Sequence, residues 1–325
     1  MTDHKFFQTG LSRRRLLTGA ALGATAASLG IRGAHAQAYP SQEIRWIIYQ
    51  SPGGLIDGST RALQPYLKQN GFSSRIEYVR GASGRIARTQ LYRSQPDGYT
   101  IMTEASPEEV LGEVVYNADY KVAEFEPVFG WFVNAFNIYV KKDSPIKSFA
   151  DFIKEAKSRT ITIGTLGKGG PSHLQLAVLR KKLGLKLQFV HFEGGAPSYS
   201  AVLGGHVESS IGGSSSARNI DTVSFLAVFR DGRDPALPSV PTVAELGHDI
   251  TPVNEVIYAN TGPKVPADRI AKLADAFAKA FQNPEHIKQQ KNLGVYPKLM
   301  SGADLRKIVQ SMYALVNEHK AELVG

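Results

Sequence analysis

The sequence predicts an α/β fold of two lobes joined by a hinge of two crossing segments, and three observations predict it. A strand, a glycine turn and a helix follow one another at 44–67: Ile44, Trp46, Ile47 and Ile48 run into Gln50-Ser51-Pro52-Gly53-Gly54, and a helical pattern sets in from about Asp57. The same device returns about a hundred residues later, where Ile161-Thr162-Ile163 leads through a glycine-rich stretch into Pro171-Ser172-His173 and a helix carrying Leu174, Ala177, Val178 and Leu179. Apolar extended runs at 128–140 and 253–259 separate two sets of alternating strands and helices, and mark where the chain would cross between lobes. Such alternation gives a largely parallel sheet, with ligands beyond the strands' carboxyl ends.

The chain has 325 residues and no cysteine, which excludes disulfides, thiolate catalysis and sulfur-ligated metals. Its first 36 residues read as an export signal. Ser12-Arg13-Arg14-Arg15-Leu16-Leu17 is a twin-arginine n-region, 16–29 is a moderately apolar stretch rich in Ala and Gly, and Ala34-His35-Ala36 is a small-x-small cleavage site. Gly19, Gly23 and Gly30 dilute the apolar run, which is shorter than the roughly 20 residues a membrane span needs. Cleavage would remove five basic residues and one acidic one and lower the formal charge from +9 to +5. Lys141-Lys142 and Arg180-Lys181-Lys182 lack interleaved aromatics, so they read as solvated edges; nucleic acid is not expected as a partner, whereas a small anion is.

In chain order, 44–49 is the first strand and 57–69 a helix that Pro65 should kink or end early. A strand at 76–79 precedes the glycine-rich loop Gly81-Ala82-Ser83-Gly84 and a helix that stops before the turn Pro96-Asp97-Gly98. The strand at 100–103 is followed by Glu104-Ala105-Ser106-Pro107 at the edge that also carries the first glycine turn. Ser148 with Asp151 caps a helix to about 156. Strands at 161–163, 187–192, 207–211 and 225–229 follow, each ending in a glycine-bearing loop, and Thr242 with Glu245 spells a second capping box. Three helices, near 267–282, 284–294 and 301–320, close the chain. This places residues 37–140 and 258–325 in one lobe and 141–257 in the other.

These features resemble, in order and along essentially the whole mature chain, the periplasmic substrate-binding proteins of tripartite tricarboxylate transporters, the Bug family. The matching stretches include Tyr39-Pro40, Pro52-Gly53-Gly54 with Asp57, 81–84, Pro96-Asp97-Gly98-Tyr99-Thr100, Gly164-Thr165 with Gly167, Gly169, Ser172 and His173, Gly194-Gly195-Ala196-Pro197, Gly204-Gly205, 237–247, and Gly262-Pro263. The resemblance implies a two-lobed type II periplasmic binding protein fold, residence in the periplasm, and delivery of an organic carboxylate to the membrane components of a transporter or to a sensor. Three positions depart from the family's pattern: Tyr49-Gln50-Ser51 before the first double glycine, His191-Phe192-Glu193 before the second, and Gly212 where an Asp frequently stands.

Glycine turns leave the first N–H groups of a helix uncovered, so two such ends facing each other across a cleft would hold a carboxylate. The first lobe is expected to contribute Gln50, Ser51, Gly53, Gly54 and Leu55, with Glu104, Ala105 and Ser106. The second would contribute Thr165, Gly167, Ser172, His173, Glu193, Gly194, Gly195, Ala196 and Gly212. His173 is read either as a donor to ligand or as a structural cap, and Asp57 as the N-cap of its helix. If Glu104 and Glu193 face inward they would repel a second carboxylate, and Gly212 would set the wall back; together these favour a monocarboxylate with a bulky far end.

Enzymatic alternatives fare worse. Adjacent Ser172 and His173 do not orient an imidazole onto a nucleophile, and no Gly-x-Ser-x-Gly elbow occurs, so an exported hydrolase is the alternative from another class. His191 and His206 lack a second ligand at helical spacing, and Lys168 precedes the last glycines where a phosphate loop needs Gly-Lys-Ser/Thr. No metal and no cofactor is expected, and the receptor should act as a monomer.

Overall fold

In the computed structural model, which describes residues 38–324, two sheets organise the chain from Gln42 onward. The export signal at 1–36 lies outside the described residues. β1 (Ile44–Ile48) is enclosed on both faces, as its near-continuous apolar run requires. α1 (Leu55–Gln69), β2 (Ser74–Tyr78), α2 (Arg85–Tyr92), β3 (Thr100–Ser106), α3 (Glu108–Val114) and β4 (Glu126–Asn134) follow. The second sheet takes β5 (Phe136–Lys141), α4 (Phe149–Ser158), β6 (Ile161–Thr165), α5 (Pro171–Leu183), β7 (Leu187–His191), α6 (Gly195–Leu203), β8 (Ser209–Gly213) and β9 (Val223–Phe229). β10 (Glu255–Thr261), α7 (Ala267–Phe281), α8 (Pro284–Asn292), β11 (Pro297–Ser301) and α9 (Gly302–Val324) complete the chain.

The first sheet has the order β11-β4-β10-β3-β1-β2 and the second β7-β6-β8-β5-β9. The strand–turn–helix units are parallel as expected: β1 with β2 and β3, β6 with β7 and β8. The crossing strands are not. β10 is antiparallel to β3 and β4, because the returning chain arrives at the carboxyl end of β3, where Val256 pairs with Ser106. β5, arriving from the first sheet, is likewise antiparallel to β8 and β9. Ala135 alone separates β4 from β5, so the first crossing falls ahead of residue 140, and the return lies between Phe229 and Glu255. α9 also reaches the second lobe: Arg180 and Lys181 of α5 donate to Glu322 and Glu318 at 2.5 and 3.0 Å.

The core of the first lobe forms around Phe277 of α7, which stacks on Trp131 and Phe129 and meets the edge of Trp46. The Trp46 Nε1–H donates to Thr103 Oγ1 at 2.9 Å, satisfying the one polar atom of a fully buried ring.

Several local expectations change. α1 runs through Pro65, which sits on the exposed face with Arg61, the residue whose carbonyl loses its N–H partner. The N-cap of α1 is Gly54, not Asp57. Asp57 lies inside the first turn, buried, and reaches back to the turn. Thr242 and Glu245 do form the reciprocal bonds of a capping box, at 3.1 and 2.8 Å, but close a turn without a helix. Gly212 and Gly213 belong to β8, where the sequence suggested a loop. α3 and β11 were not foreseen; seven and five residues are too few to show a period.

Candidate functional site

The carboxyl ends of β3 and β4 and the amino end of β10 share one edge of the first sheet. Opposite them lies the loop 166–170 of the second lobe, and a cavity of about 160 Å³ separates the two. Ser83, Arg85, Glu108 and Tyr116 line it from the first lobe, Phe136 and Glu255 from the crossing strands, and 166–172 from the second lobe.

The second-lobe wall is built of backbone. β6 ends at Thr165, and α5 begins at Pro171 with Gly170 as N-cap and no side chain closing its first turn. The loop between is fixed from behind: Leu166 N–H donates to Ser172 Oγ at 2.9 Å and Gly169 N–H to His173 Nδ1 at 3.0 Å. Gly169 has φ +64°, and a Cβ there would sit 2.1 Å from the Tyr116 hydroxyl, so both conformation and space demand glycine. That hydroxyl donates across the cleft to the Lys168 carbonyl at 3.2 Å. The Lys168 side chain is exposed and has no carboxylate partner among the described residues.

The first-lobe wall rests on an unusual turn. Gly81, Ala82, Ser83 and Gly84 take φ values of +120°, +49°, +52° and +81°, so two non-glycine residues are held in the left-handed region at a cost of order 1 kcal/mol each. Arg88 holds them there, donating from Nη1 to the Ser83 carbonyl at 2.8 Å. Its guanidinium is fully buried, lies over the Tyr49 ring, and pairs with both oxygens of Glu104 at 2.8 and 2.5 Å; a longer contact of 3.3 Å reaches Glu108. Arg85, one turn earlier on α2, lies over the Tyr116 ring at 4.4 Å and has no carboxylate partner among the described residues.

Acid groups crowd the same wall. Burial, followed by the charge of Glu104, pushes Glu109 up to about 8. Glu255 accepts from Asn134 Nδ2 at 2.6 Å, and burial, then the charge of Glu108, raises it to about 7. Burial also raises Glu108 above the ordinary carboxylate range.

Of the residues expected from the sequence, Gly167 and Ser172 line this cavity. Thr165 and His173 lie directly behind it. Thr165 Oγ1 meets His191 Nδ1 at 2.8 Å, while His173 is an acceptor for its own loop; burial, then the neighbouring His191, depresses it to about 4, so it is neutral at pH 7. Glu104, Ala105 and Ser106 are buried in the end of β3, and Glu104 cannot repel a ligand because its charge is met by Arg88. Gln50, Ser51, Gly53, Gly54 and Leu55 lie outside the lining, and the Gly53 N–H is already given to Asp57 Oδ2 at 2.8 Å. Glu193, Gly194, Gly195 and Ala196 stand at the head of α6, exposed or half-exposed and also outside the lining, with Glu193 in solvent. Gly212 does not set the wall back: a Cβ there would meet Ser216 Oγ and Tyr139 Cε1 at 2.9 Å.

Sequence reasoning missed Arg85, Glu108, Tyr116, Phe136 and Glu255. Glu255 carries a signal, a lone acid heading the apolar strand at the crossing, and Glu108 stands one residue past the edge segment Glu104-Ala105-Ser106-Pro107. Among the described residues no group of three His, Cys, Asp or Glu is placed to hold a metal, and no helix is long and apolar enough to cross a membrane.

Residues 62–319 match the family model described as "Tripartite tricarboxylate transporter family receptor". A UPF0065 protein in the gbd 5′ region of Cupriavidus necator is 30% identical over 310 residues, covering 90% of this chain and 91% of its own. Among solved structures, a TctC solute-binding protein from Polaromonas superposes with a TM-score of 0.77 at 22% identity, over 86% of this chain and 99% of its own. A protein of R. palustris solved with adipate gives a TM-score of 0.73 at 24% identity, over 88% and 98%. At those identities the two structures establish the fold.

Proposed function

The chain belongs to the tripartite tricarboxylate transporter receptor family, and from that premise we propose that it is a periplasmic receptor that takes one small organic carboxylate into the cleft between its lobes and hands it to the membrane components of such a transporter. It is a solute receptor, not an enzyme, with the two-lobed type II periplasmic binding fold. The observation that carries the carboxylate reading is the cavity itself: Lys168 and Arg85, without carboxylate partners among the described residues, stand beside the uncapped amino end of α5. Backbone N–H groups, a helix dipole and two cations converge on one small space, which suits an anion. The adipate of the R. palustris structure falls in the same chemical class.

The segment at 1–36 would deliver the receptor by the twin-arginine route. Replacing Arg13 and Arg14 by lysine should then hold the precursor in the cytoplasm, and an unchanged periplasmic yield would overturn the route. Ligand capture is tested by melting the protein in the presence of mono- and dicarboxylates. A ligand of the folded state raises Tm by mass action. A panel in which no carboxylate shifts Tm overturns the reading.

A further inference from the structure

The cavity carries opposite charges at two depths. At its mouth stand Lys168, exposed, and Arg85, held over the half-exposed Tyr116 ring. Its inner end is closed by the fully buried Phe136 together with Glu108 and Glu255, whose side chains face the same space. The acids there outnumber the cations. Arg88 is the guanidinium behind this wall, and its two best hydrogen bonds go to Glu104, so that Glu108 has from it one longer contact of 3.3 Å, with the Tyr49 hydroxyl as its other neighbour. Glu255 receives one hydrogen bond from Asn134 on Oε2, while its Oε1 bonds no described residue. A second carboxylate pushed to this end would meet two acids and, among the described residues, no free cation, whereas an ammonium group would find two acceptors with spare lone pairs.

We infer that the cleft selects an amino carboxylate: the ligand's carboxylate sits outward against Lys168, Arg85 and the amino end of α5, and its protonated nitrogen sits inward between Glu108 and Glu255. The inference rests on the carboxylate reading above and adds the second functional group. It also separates this receptor from the R. palustris protein solved with adipate, since discrimination between the two ligand types comes from the repulsive acids as much as from new attractive contacts.

Paired ligands that differ only at the inner end decide it. 4-Aminobutanoate and glutarate share three methylenes and one carboxylate, and 3-aminopropanoate and succinate share two methylenes and one carboxylate. By thermal shift and calorimetry on the purified protein, the amino member of at least one pair should bind about tenfold or more tighter than its twin, the size expected of a hydrogen bond to a charged group. Glu255→Gln should bring that pair to near parity. Glu108→Gln serves as the second variant if Glu255→Gln melts early without ligand. Dicarboxylates that bind as tightly as their amino twins or tighter, or a preference that survives both variants, overturn this inference and leave the carboxylate reading standing. No binding by any member of any pair overturns both.

Discussion

Asp57 Oδ2 accepts the Gly53 N–H at 2.8 Å, so the anion that fills the first glycine turn is the protein's own. Its other oxygen takes bonds from Arg61 Nε at 2.9 Å and the Tyr78 hydroxyl at 2.6 Å. Burial alone would raise this carboxyl, but the Gly53 N–H, the Tyr78 hydroxyl and Arg61 together hold it below its ordinary value. The two glycine turns are therefore alike in sequence and different in state: one is closed by an internal carboxylate, and the other opens on the cleft.

Asp57→Asn should accordingly cost about 1–3 kcal/mol of stability at pH 7, from the lost charge-assisted bonds, with little effect on ligand affinity. Because the folded pKa is depressed, Asp57 stabilises the fold above its unfolded pKa, and that contribution is lost as pH falls through the folded one. Wild type and variant should thus converge in Tm toward low pH. A variant as stable as wild type at pH 7 but impaired in ligand binding would return the first turn to the site.

The strand–turn–helix units were legible because each is local: a β-branched run, a glycine break and a 3.6-residue period identify β1 with α1 and β6 with α5 without reference to the rest of the chain. Strand direction is not local. Nothing in the residues 255–261 says that they run against β3, since an antiparallel and a parallel buried strand present the same apolar run. The site was half legible for a similar reason. Gly167 and Ser172 sit on the turn that could be recognised, whereas Arg85, Glu108 and Glu255 come from three separate elements and meet only in the fold. Exposure misled as well. Glu104 looks like any acid after a strand until Arg88, sixteen residues away, is found paired with it in the interior.

Glu109 and Glu255 set the pH dependence on the neutral side. Both are raised above the ordinary carboxylate value of 4.5, Glu109 to about 8 and Glu255 to about 7, chiefly by burial. A carboxyl whose pKa is higher folded than unfolded keeps its proton where the unfolded chain has lost it, so its stabilising contribution falls as pH rises through the folded value. His173, depressed to about 4, acts in the opposite sense, but only below the ordinary imidazole value of 6.5. Between about pH 6.5 and 8 the acids are left to dominate, and Tm should fall across that window. Glu109→Gln should flatten the slope and raise Tm more at pH 8 than at pH 6.5. A slope unaltered by the substitution would assign the titration elsewhere.

Gly212 offers a test free of ligand. With Ser216 Oγ and Tyr139 Cε1 each 2.9 Å from the position of an added Cβ, Gly212→Ala overpacks β8 and should cost about 1–3 kcal/mol in the unliganded protein. Ser216 cannot step aside freely, since its hydroxyl donates to the Gly213 carbonyl at 2.6 Å and receives Asn137 Nδ2 at 3.1 Å. An unchanged melting temperature together with altered ligand preference would mean that the space beside Gly212 belongs to the cleft after all.

Lys168 and Tyr116 divide the work at the cleft mouth, and substitution can separate them. The Tyr116 hydroxyl holds the Lys168 backbone from across the cleft, while the Lys168 ammonium is left for solvent or ligand. Lys168→Met keeps the backbone and the aliphatic stem and removes only the charge, so the free protein should melt within about 0.5 kcal/mol of wild type, as exposed substitutions do. Its carboxylate affinity should drop about fivefold to tenfold in low salt and less in high salt, because an exposed cation is screened over a Debye length of about 8–10 Å. Tyr116→Phe keeps the charge and the ring under Arg85 but breaks the bridge between lobes; it should act mainly on release, raising the dissociation rate more than it lowers the association rate. Calorimetry at two salt concentrations and stopped-flow kinetics read the two effects independently. Should Lys168→Met bind carboxylates as wild type does at both salt concentrations, the anion would have to be held by the amino end of α5 and Arg85 without it, and the ligand's carboxylate would lie deeper than the mouth.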